Sequence, residues 1–404
     1  MTSPSDSATA DTIVRLAAKG DGVTADGLHV RGALPGDVVS ENGIKTRGKF
    51  HIVPACHHFG QCGGCQLQHA DEEVLSRFVH DRVVNAARGQ GLDVDELLPT
   101  HLSPEGARRR ATLHGMRVKN GAVLGFREGG SHRIVNLAEC HVIAPELAAM
   151  VKPLRELIAD HGGKSAIDAQ LTICDQGVDL GLKNFALEGL AAIEGALDFA
   201  REHGLARLTV DQGYGPETQW EPEPVTITLG GIPVPMPPGA FLQATRDAEA
   251  LMIADAKGWL GGKRLVADLF SGLGTFAFAL REGRKVLAAE ADRAAYLACK
   301  AGSVRTERSV HPLHRDLFRN PVQANELSRF DAVLLDPPRA GAKAQIGEIA
   351  QSTVDRVVYV SCNPSSWARD AARLVESGFK LTKLRPVGQF RWSTHVELTS
   401  LFER

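Results

Sequence analysis

Three apolar, strand-like runs of this chain end in residues that can do chemistry: LVADLFSGLGTF at residues 265–276, FDAVLLDPPRAG at 330–341 and VVYVSCNP at 357–364. In an open parallel sheet, ligands collect outside the carboxyl ends of the strands. Asp268 to Thr275, Asp336 to Gly341 and Cys362 to Pro364 are therefore expected to meet at one site. In the first loop, Gly272 and Gly274 let the backbone turn tightly and approach a ligand where a Cβ would obstruct it. A lone Gly-x-Gly can also be an ordinary strand-to-helix turn. Glu290 tips the reading towards a nucleoside, because it ends the next strand-like run, KVLAAE, where an acid accepts hydrogen bonds from ribose hydroxyls. The spacing leaves a dinucleotide or S-adenosylmethionine open, although Phe276 and Ala277 stand where a third glycine would complete the dinucleotide fingerprint.

The residue after Asp336-Pro-Pro narrows the chemistry. Enzymes that methylate exocyclic amines tend to present an aromatic ring there, and this chain has Arg339, which suits phosphate or a uracil carbonyl better. Cys362 stands beside Asn363 and Pro364 where a strand leaves the sheet, a place unlike that of a cysteine that merely packs.

A second constellation lies in the amino-terminal third. Cys56, Cys62 and Cys65 have Cys-x5-Cys-x2-Cys spacing, and Cys140 in NLAECHVI supplies a fourth thiol. Four thiolates suit an iron-sulfur cluster or zinc. Zinc ribbons usually pair two Cys-x-x-Cys knuckles and only one is present, so the spacing leans towards a cluster, while His57, His58 and His69 keep zinc as the alternative. The radical-enzyme spacing, Cys-x3-Cys-x2-Cys, is absent.

These anchors divide the chain. Residues 1–10, rich in Ser, Ala and Asp, read as a disordered tail. Residues 11–53 alternate short apolar stretches with Gly and Pro turns, as a small barrel does. Residues 54–240 read as a β-rich central domain, with strand-like stretches at 111–126, 169–182, 205–211 and 225–234 and a helix at 71–89. Prolines 233, 235, 237 and 238 mark its end. Residues 241–404 read as an α/β domain with strands at 265–270, 285–290, 331–336 and 356–361 and a final antiparallel hairpin of 380–387 and 395–403.

The 404 residues, 43% of them hydrophobic, suffice for two or three cores. No apolar run reaches membrane-spanning length, the first residues carry no signal core, and the seven cysteines suit a reducing compartment. A cytoplasmic enzyme, expected to be a monomer, is implied. The net charge of −2 does not announce nucleic acid, but residues 101–140 hold seven Lys or Arg against three acids. That run is either a solvated face or a phosphate-binding surface.

DLFSGLGTF, LLDPPRAG, YVSCNP and HVELTSLFER resemble, in order, the four signature segments of the S-adenosylmethionine-dependent RNA uracil-5-methyltransferases, and FLQAT at 241–245 resembles the segment before the family's first strand. The resemblance covers nearly the whole chain. It implies a class I, Rossmann-like methyltransferase domain. It also implies that Cys362 adds to carbon 6 of uracil, making carbon 5 nucleophilic, and that Glu397 removes the carbon 5 proton so that the thiol can be eliminated. By the same resemblance Gln243, Phe270, Thr275, Glu290, Asp316 and Asp336 line the S-adenosylmethionine pocket, Thr275 standing where many members carry Asn. Cys56, Cys62, Cys65 and Cys140 would hold a 4Fe-4S cluster, and helix 71–89 would pack on the catalytic domain. Residues 11–53 resemble a short, less basic copy of the TRAM RNA module. A cluster together with a barrel-like module resembles the enzymes acting on 23S rRNA more than the bacterial tRNA enzyme, so 23S rRNA is the expected substrate. The alternatives are the same reaction on tRNA, or a catalytically idle iron-sulfur RNA-binding protein.

Overall fold

The computed structural model describes residues 11–404 apart from Asn42 and Lys164; the expected tail at 1–10 lies outside the described residues. The chain begins with a small antiparallel sheet of β1 (Asp11–Leu16), β2 (Gly22–Thr24), β3 (His29–Val30), β4 (Val38–Ser40) and β5 (Gly43–Thr46), in the order β3-β2-β1-β4-β5. Among the described residues its own buried cluster is Ile13, Ala33 and Val39, with Val30 and Ile44 packed against it. So small a core cannot carry much stability alone, and the module leans on its neighbour: its Leu34 belongs to the large core built around the next helix.

That helix, α1 (Glu72–Arg88), is capped by Asp71, whose Oδ1 accepts from Val74 N at 2.9 Å, a contact worth about 1 kcal/mol. Val74, Phe78 and Val79 of its buried face join the same core as Leu381 and Leu384. After α1 the chain adds two short strands, β6 (Glu96–Leu97) and β7 (His101–Leu102). Both pair in parallel with a strand near the carboxyl terminus. Thus a stretch that reads as central domain in the sequence extends the catalytic sheet.

The central sheet contains β8 (Arg110–Val118) and β9 (Gly121–Gly125), then, after the helices α2 (Pro145–Ala149) and α3 (Val151–His161), β10 (Ile167–Cys174) and β11 (Gly177–Lys183). Helix α4 (Leu190–Glu202) leads to β12 (Arg207–Asp211) and β13 (Pro216–Trp220). The order is β13-β12-β11-β10-β8-β9. Sequence reasoning found the strands here apart from β13, but not α3 and α4, whose apolar faces (Leu154, Leu157, Ile158; Ala196, Phe199, Ala200) cover the sheet. A hairpin of β14 (Thr226–Leu229) and β15 (Ile232–Pro235) comes next.

The last sheet is built from α5 (Arg246–Leu260), β16 (Leu265–Leu269), α6 (Thr275–Leu280), β17 (Lys285–Glu290), α7 (Arg293–Ser303), β18 (Val310–His314), α8 (Ala324–Leu327), β19 (Ala332–Leu335), α9 (Lys343–Gln351), β20 (Arg356–Ser361), α10 (Pro364–Glu376), β21 (Lys380–Gly388) and β22 (Glu397–Glu403). Strand order is β18-β17-β16-β19-β20-β22-β21-β6. Neighbours from β18 to β20 are parallel, and β22 runs antiparallel between β20 and β21. The buried parallel strands AVLL and RVVYVS show no polar alternation because both faces are covered by helices. From β16 the chain winds first to β17 and β18 on one side, then to β19 and β20 on the other. The switch point is therefore the crevice between β16 and β19. Strand β18 went unread because Pro312 interrupts VHPLH; Pro is tolerated there because β18 is an edge. No helix among the described residues is long and apolar enough to cross a membrane.

Candidate active site

The carboxyl ends of β16, β17, β18, β19 and β20 carry Phe270, Glu290, Asp316, Asp336 and Cys362 to one edge of the sheet. Glu397 opens β22, and the pairing of Ser361 with Leu398 sets it across from Cys362. Gln243 joins them from the segment before α5, whose cap is Thr245.

The acids are linked by two amides. Gln243 Nε2 donates to Asp336 Oδ2 at 2.9 Å, Gln389 Nε2 donates to Gln243 Oε1 at 3.2 Å and to Glu397 Oε1 at 2.8 Å, and Gln389 Oε1 accepts from Ala244 N at 2.9 Å. Gln389 escaped the sequence reading; its only signal was an amide directly before the basic, aromatic Phe390-Arg391-Trp392 that precedes the acid. Burial pushes Asp336 up to about 7 and Glu397 up to about 8, the latter helped by the Asp336 charge and opposed by the Gln389 amide. The Cys362 thiol is pushed up to about 11, first by burial, then by the Glu397 and Asp336 charges, against which Arg339 acts. Three groups that each resist a negative charge thus share one site. A cationic ligand entering it would favour the ionised form of all three.

The loop after β16 is built for close approach. Leu269 ends the strand one residue earlier than the sequence indicates, because Phe270 is left-handed, with φ 62°. Its ring lies 5.4 Å from that of Phe318. Gly274, at φ 94°, is the residue before α6, and a Cβ there would come within 2.7 Å of Phe278. Thr275 opens α6, so it stands at the head of the helix beside this loop. Glu290 accepts from Gly272 N at 2.8 Å and from the amides of Ala291 and Asp292, which lock its carboxylate at the loop. Asp316 is held by the amides of Phe318 and Arg319. Asp268, which the sequence placed at this site without assigning it a role, is fully buried, and among the described residues neither of its carboxyl oxygens nor the Ser271 hydroxyl has a close hydrogen-bond partner. Burial, then Asp336 and Glu290, raise its pKa well above the ordinary value.

Cys56, Cys62, Cys65 and Cys140 line a common cavity with Phe59, Arg108 and Phe126. Burial first, then Cys140, Cys62 and Cys56, push the Cys65 thiol up to about 12. No three His, Cys, Asp or Glu side chains among the described residues converge as ligands of one ion. Two of the three histidines are engaged elsewhere: His57 meets Glu139 at 2.7 Å and His58 Nε2 accepts from Ala138 N, whereas His69 packs against the Phe59 ring and neither of its ring nitrogens has a hydrogen-bond partner among the described residues. The cysteine loop is docked on the segment between Gln389 and Glu397. Gln66 N and Leu67 N both donate to Trp392 O, at 2.8 and 2.9 Å, and Trp392 is itself left-handed, φ 61°.

The basic run is no continuous solvated face. Arg109 is buried, donating to Gln243 O at 3.0 Å and pairing with Glu249, while Arg110 lies over the Phe241 ring and Arg108 over Phe390. Its first three arginines thus tie β8 to the catalytic segments.

The fold is similar to that of the solved Pyrococcus abyssi tRNA (uracil-54, C5)-methyltransferase in complex with S-adenosyl-L-homocysteine, with a TM-score of 0.76 over 98% of this chain and all of that one, at 21% identity. The profile of the tRNA (Uracil-5-)-methyltransferase family matches residues 314–404. A Zymomonas mobilis protein named as an RNA methyltransferase is 46% identical over 97% of this chain and 99% of its own length. The 23S rRNA (uracil(1939)-C(5))-methyltransferase of Erwinia tasmaniensis is 30% identical over 93% of this chain and 91% of its own. The chain belongs to the RNA uracil-5-methyltransferase family. As a uracil-5-methyltransferase it uses S-adenosylmethionine to methylate carbon 5 of uracil in RNA.

Proposed function

We propose that this uracil-5-methyltransferase acts on 23S rRNA through a covalent adduct on Cys362. The convergence of Cys362, Glu397 and Asp336 at one sheet edge carries the reading. In it, the Cys362 thiolate bonds to carbon 6 of the uracil, and carbon 5 takes the methyl group as S-adenosylhomocysteine departs. Glu397, ionised, then accepts the carbon 5 proton. The electron pair of that C–H bond forms the C5–C6 double bond and expels the thiolate. Gln243, Phe270, Thr275, Glu290, Asp316 and Asp336 hold the cofactor: Glu290 faces the ribose from the end of β17, and Asp336 and Gln243 lie on the side of the reacting centre. The sulfonium is a positive charge entering an acid-lined site, which favours the thiolate of Cys362 and the carboxylate of Glu397.

Arg339, beside Asp336-Pro-Pro, pulls the Cys362 thiol towards ionisation and suits a uracil carbonyl. The deciding experiment is Cys362→Ala: it should abolish both turnover and the covalent complex with 5-fluorouridine RNA while leaving S-adenosylmethionine binding intact. Turnover by that variant would exclude the adduct.

For the RNA, the likeness to the Erwinia tasmaniensis enzyme over nine-tenths of the chain together with the four-cysteine cavity favours 23S rRNA, and tRNA is the second reading. Mass mapping of 5-methyluridine in ribosomal and transfer RNA from a deletion strain separates them. The cysteine set favours a 4Fe-4S cluster over zinc: four cysteines line one cavity, only one Cys-x-x-Cys knuckle is present, and His57 and His58 are engaged elsewhere. Cys56, Cys62, Cys65 and Cys140 would be the ligands, and the cluster would cross-link the loop that carries Gln66 and Leu67. Anaerobically purified protein should contain about four irons per chain and absorb broadly near 400 nm; stoichiometric zinc in a colourless protein would reject the cluster.

A further inference from the structure

A cavity of about 350 Å³ lies between the amino-terminal sheet and α1, lined by Arg15 of β1, by Arg77, Asp81, Arg82 and Asn85 of α1, and by Ser365 of α10. Two adjacent i, i+4 rows of α1 build one wall, Val74-Phe78-Arg82 and Arg77-Asp81-Asn85. Its polarity is mixed, and its charge is basic. Arg77 is already engaged by Glu73 at 2.7 Å. Arg15 and Arg82 make no ion pair among the described residues, and the Arg82 Nε is buried without a hydrogen-bond partner. Nothing in the fold calls for two unpaired guanidinium groups there, and the buried N–H lacks the acceptor that a polar group withdrawn from water requires. An apolar wall completes the cavity: Phe78 is buried at its base, and Val14 is 55% exposed at its rim.

Position decides what this cavity is for. Ser365 lies in the first turn of α10, whose cap, Asn363, accepts from Ser365 N at 3.2 Å. Asn363 directly follows Cys362. The cavity is therefore lined at one side by Ser365, three residues after the proposed nucleophile in the chain, and at the other by the amino-terminal module.

We infer that this cavity receives a nucleotide of the substrate RNA next to the target uridine, its phosphate on Arg15 and Arg82 and its base against Val14 and Phe78. The inference rests on the reading of Cys362 as the point where the target uridine sits. A planar base with an anionic phosphate matches an opening that is half apolar and half basic, and Asp81 and Asn85 offer an acceptor and an amide to the base edge. The amino-terminal module then contributes by closing this cavity with Arg15 and Val14, which explains how a copy with so small a core takes part in binding.

The test uses the full chain, with Arg15→Glu and Arg82→Gln made singly. Arg15 is exposed, so its variant should fold like wild type, as thermal unfolding will check. Binding to a labelled oligouridylate of about twelve nucleotides and to a 23S rRNA transcript is measured against salt, together with S-adenosylhomocysteine binding. Each variant should bind RNA about tenfold more weakly and with a salt slope shallower by about one, while S-adenosylhomocysteine affinity stays unchanged. On whichever RNA the wild type methylates, KM should rise with kcat preserved. Unchanged RNA affinity and salt slope in a folded Arg15→Glu protein would overturn the inference, as would equal losses of RNA and S-adenosylhomocysteine binding. Absence of methylation by the wild type would instead count against the proposed function and leave the binding comparison readable.

Discussion

Glu397, the proposed base, is held in a place that resists its charge, and the Gln389 amide relieves this. With the carboxyl pushed up to about 8, the ionised base becomes available only as pH rises, so release of the covalent adduct should accelerate with pH and level off above about pH 8. Glu397→Gln should slow release of the adduct far more than its formation, as single-turnover trapping on RNA with ordinary uridine would reveal. Gln389→Leu removes an N–H that favours the carboxylate, so the inflection should move to higher pH with at least a tenfold loss of rate near neutrality; an unmoved inflection would leave Gln389 a packing residue. Legibility at this scale was uneven for a physical reason. Cys362, Glu290 and Asp336 end apolar strands, and a strand's end is visible in the sequence. Gln243 and Gln389 sit in irregular segments nearly 150 residues apart, and only folding brings their amides together. Asp268 was legible as the strand residue leading into the shared site; its complete burial there is a fact of packing.

Among the elements, the loop from β19 to α9 depends on Gly341. Its φ is +81°, and a Cβ would lie 2.5 Å from Asp370 Oδ2, the oxygen that accepts from Ala342 N at 2.7 Å and from the Tyr359 hydroxyl at 2.9 Å. Gly341→Ala should therefore destabilise the protein by roughly 2 kcal/mol or more and displace Arg339, measurable as a lowered unfolding midpoint and a loss of activity. The sequence made the glycine's place in DPPRAG plain but hid its reason, since Asp370 belongs to another helix. The buried parallel strands were readable because they are continuous apolar runs. Strand β18, broken by Pro312, and helices α3 and α4, embedded among strands, were not. The three arginines of Arg108–Arg110 look alike in sequence, yet one is buried in an ion pair and two lie over aromatic rings.

The whole molecule gathers several buried acids at the site, and that has a cost in pH range. Asp336 and Glu397 stand at about 7 and about 8, above ordinary values of 3.8 and 4.5. Groups raised in the folded state lend stability that is complete below their unfolded values and is lost as pH climbs through the folded ones. The unfolding midpoint of the ligand-free protein should fall between about pH 5 and pH 9, and S-adenosylmethionine should offset part of the fall; a midpoint flat or rising over that range would contradict the burial of these acids. On the proposed cluster reading, Cys62→Ser should lower the iron content and, because the cysteine loop grips Trp392 O through Gln66 and Leu67, should loosen the segment ahead of Glu397, read as faster amide exchange at residues 389–396.

That grip also fixes an order of events during synthesis. The cysteine loop, α1, β6 and β7 leave the ribosome well before β21 and Trp392, on which they dock, which lie about three hundred residues further along the chain. Until β21 and Trp392 are made, the amino-terminal third has no platform and its apolar helix face stays uncovered, so the fold forms in a late, concerted closure of these distant segments. Truncation by even the final strand should leave that third protease-sensitive, which pulsed proteolysis of stalled nascent chains can measure directly.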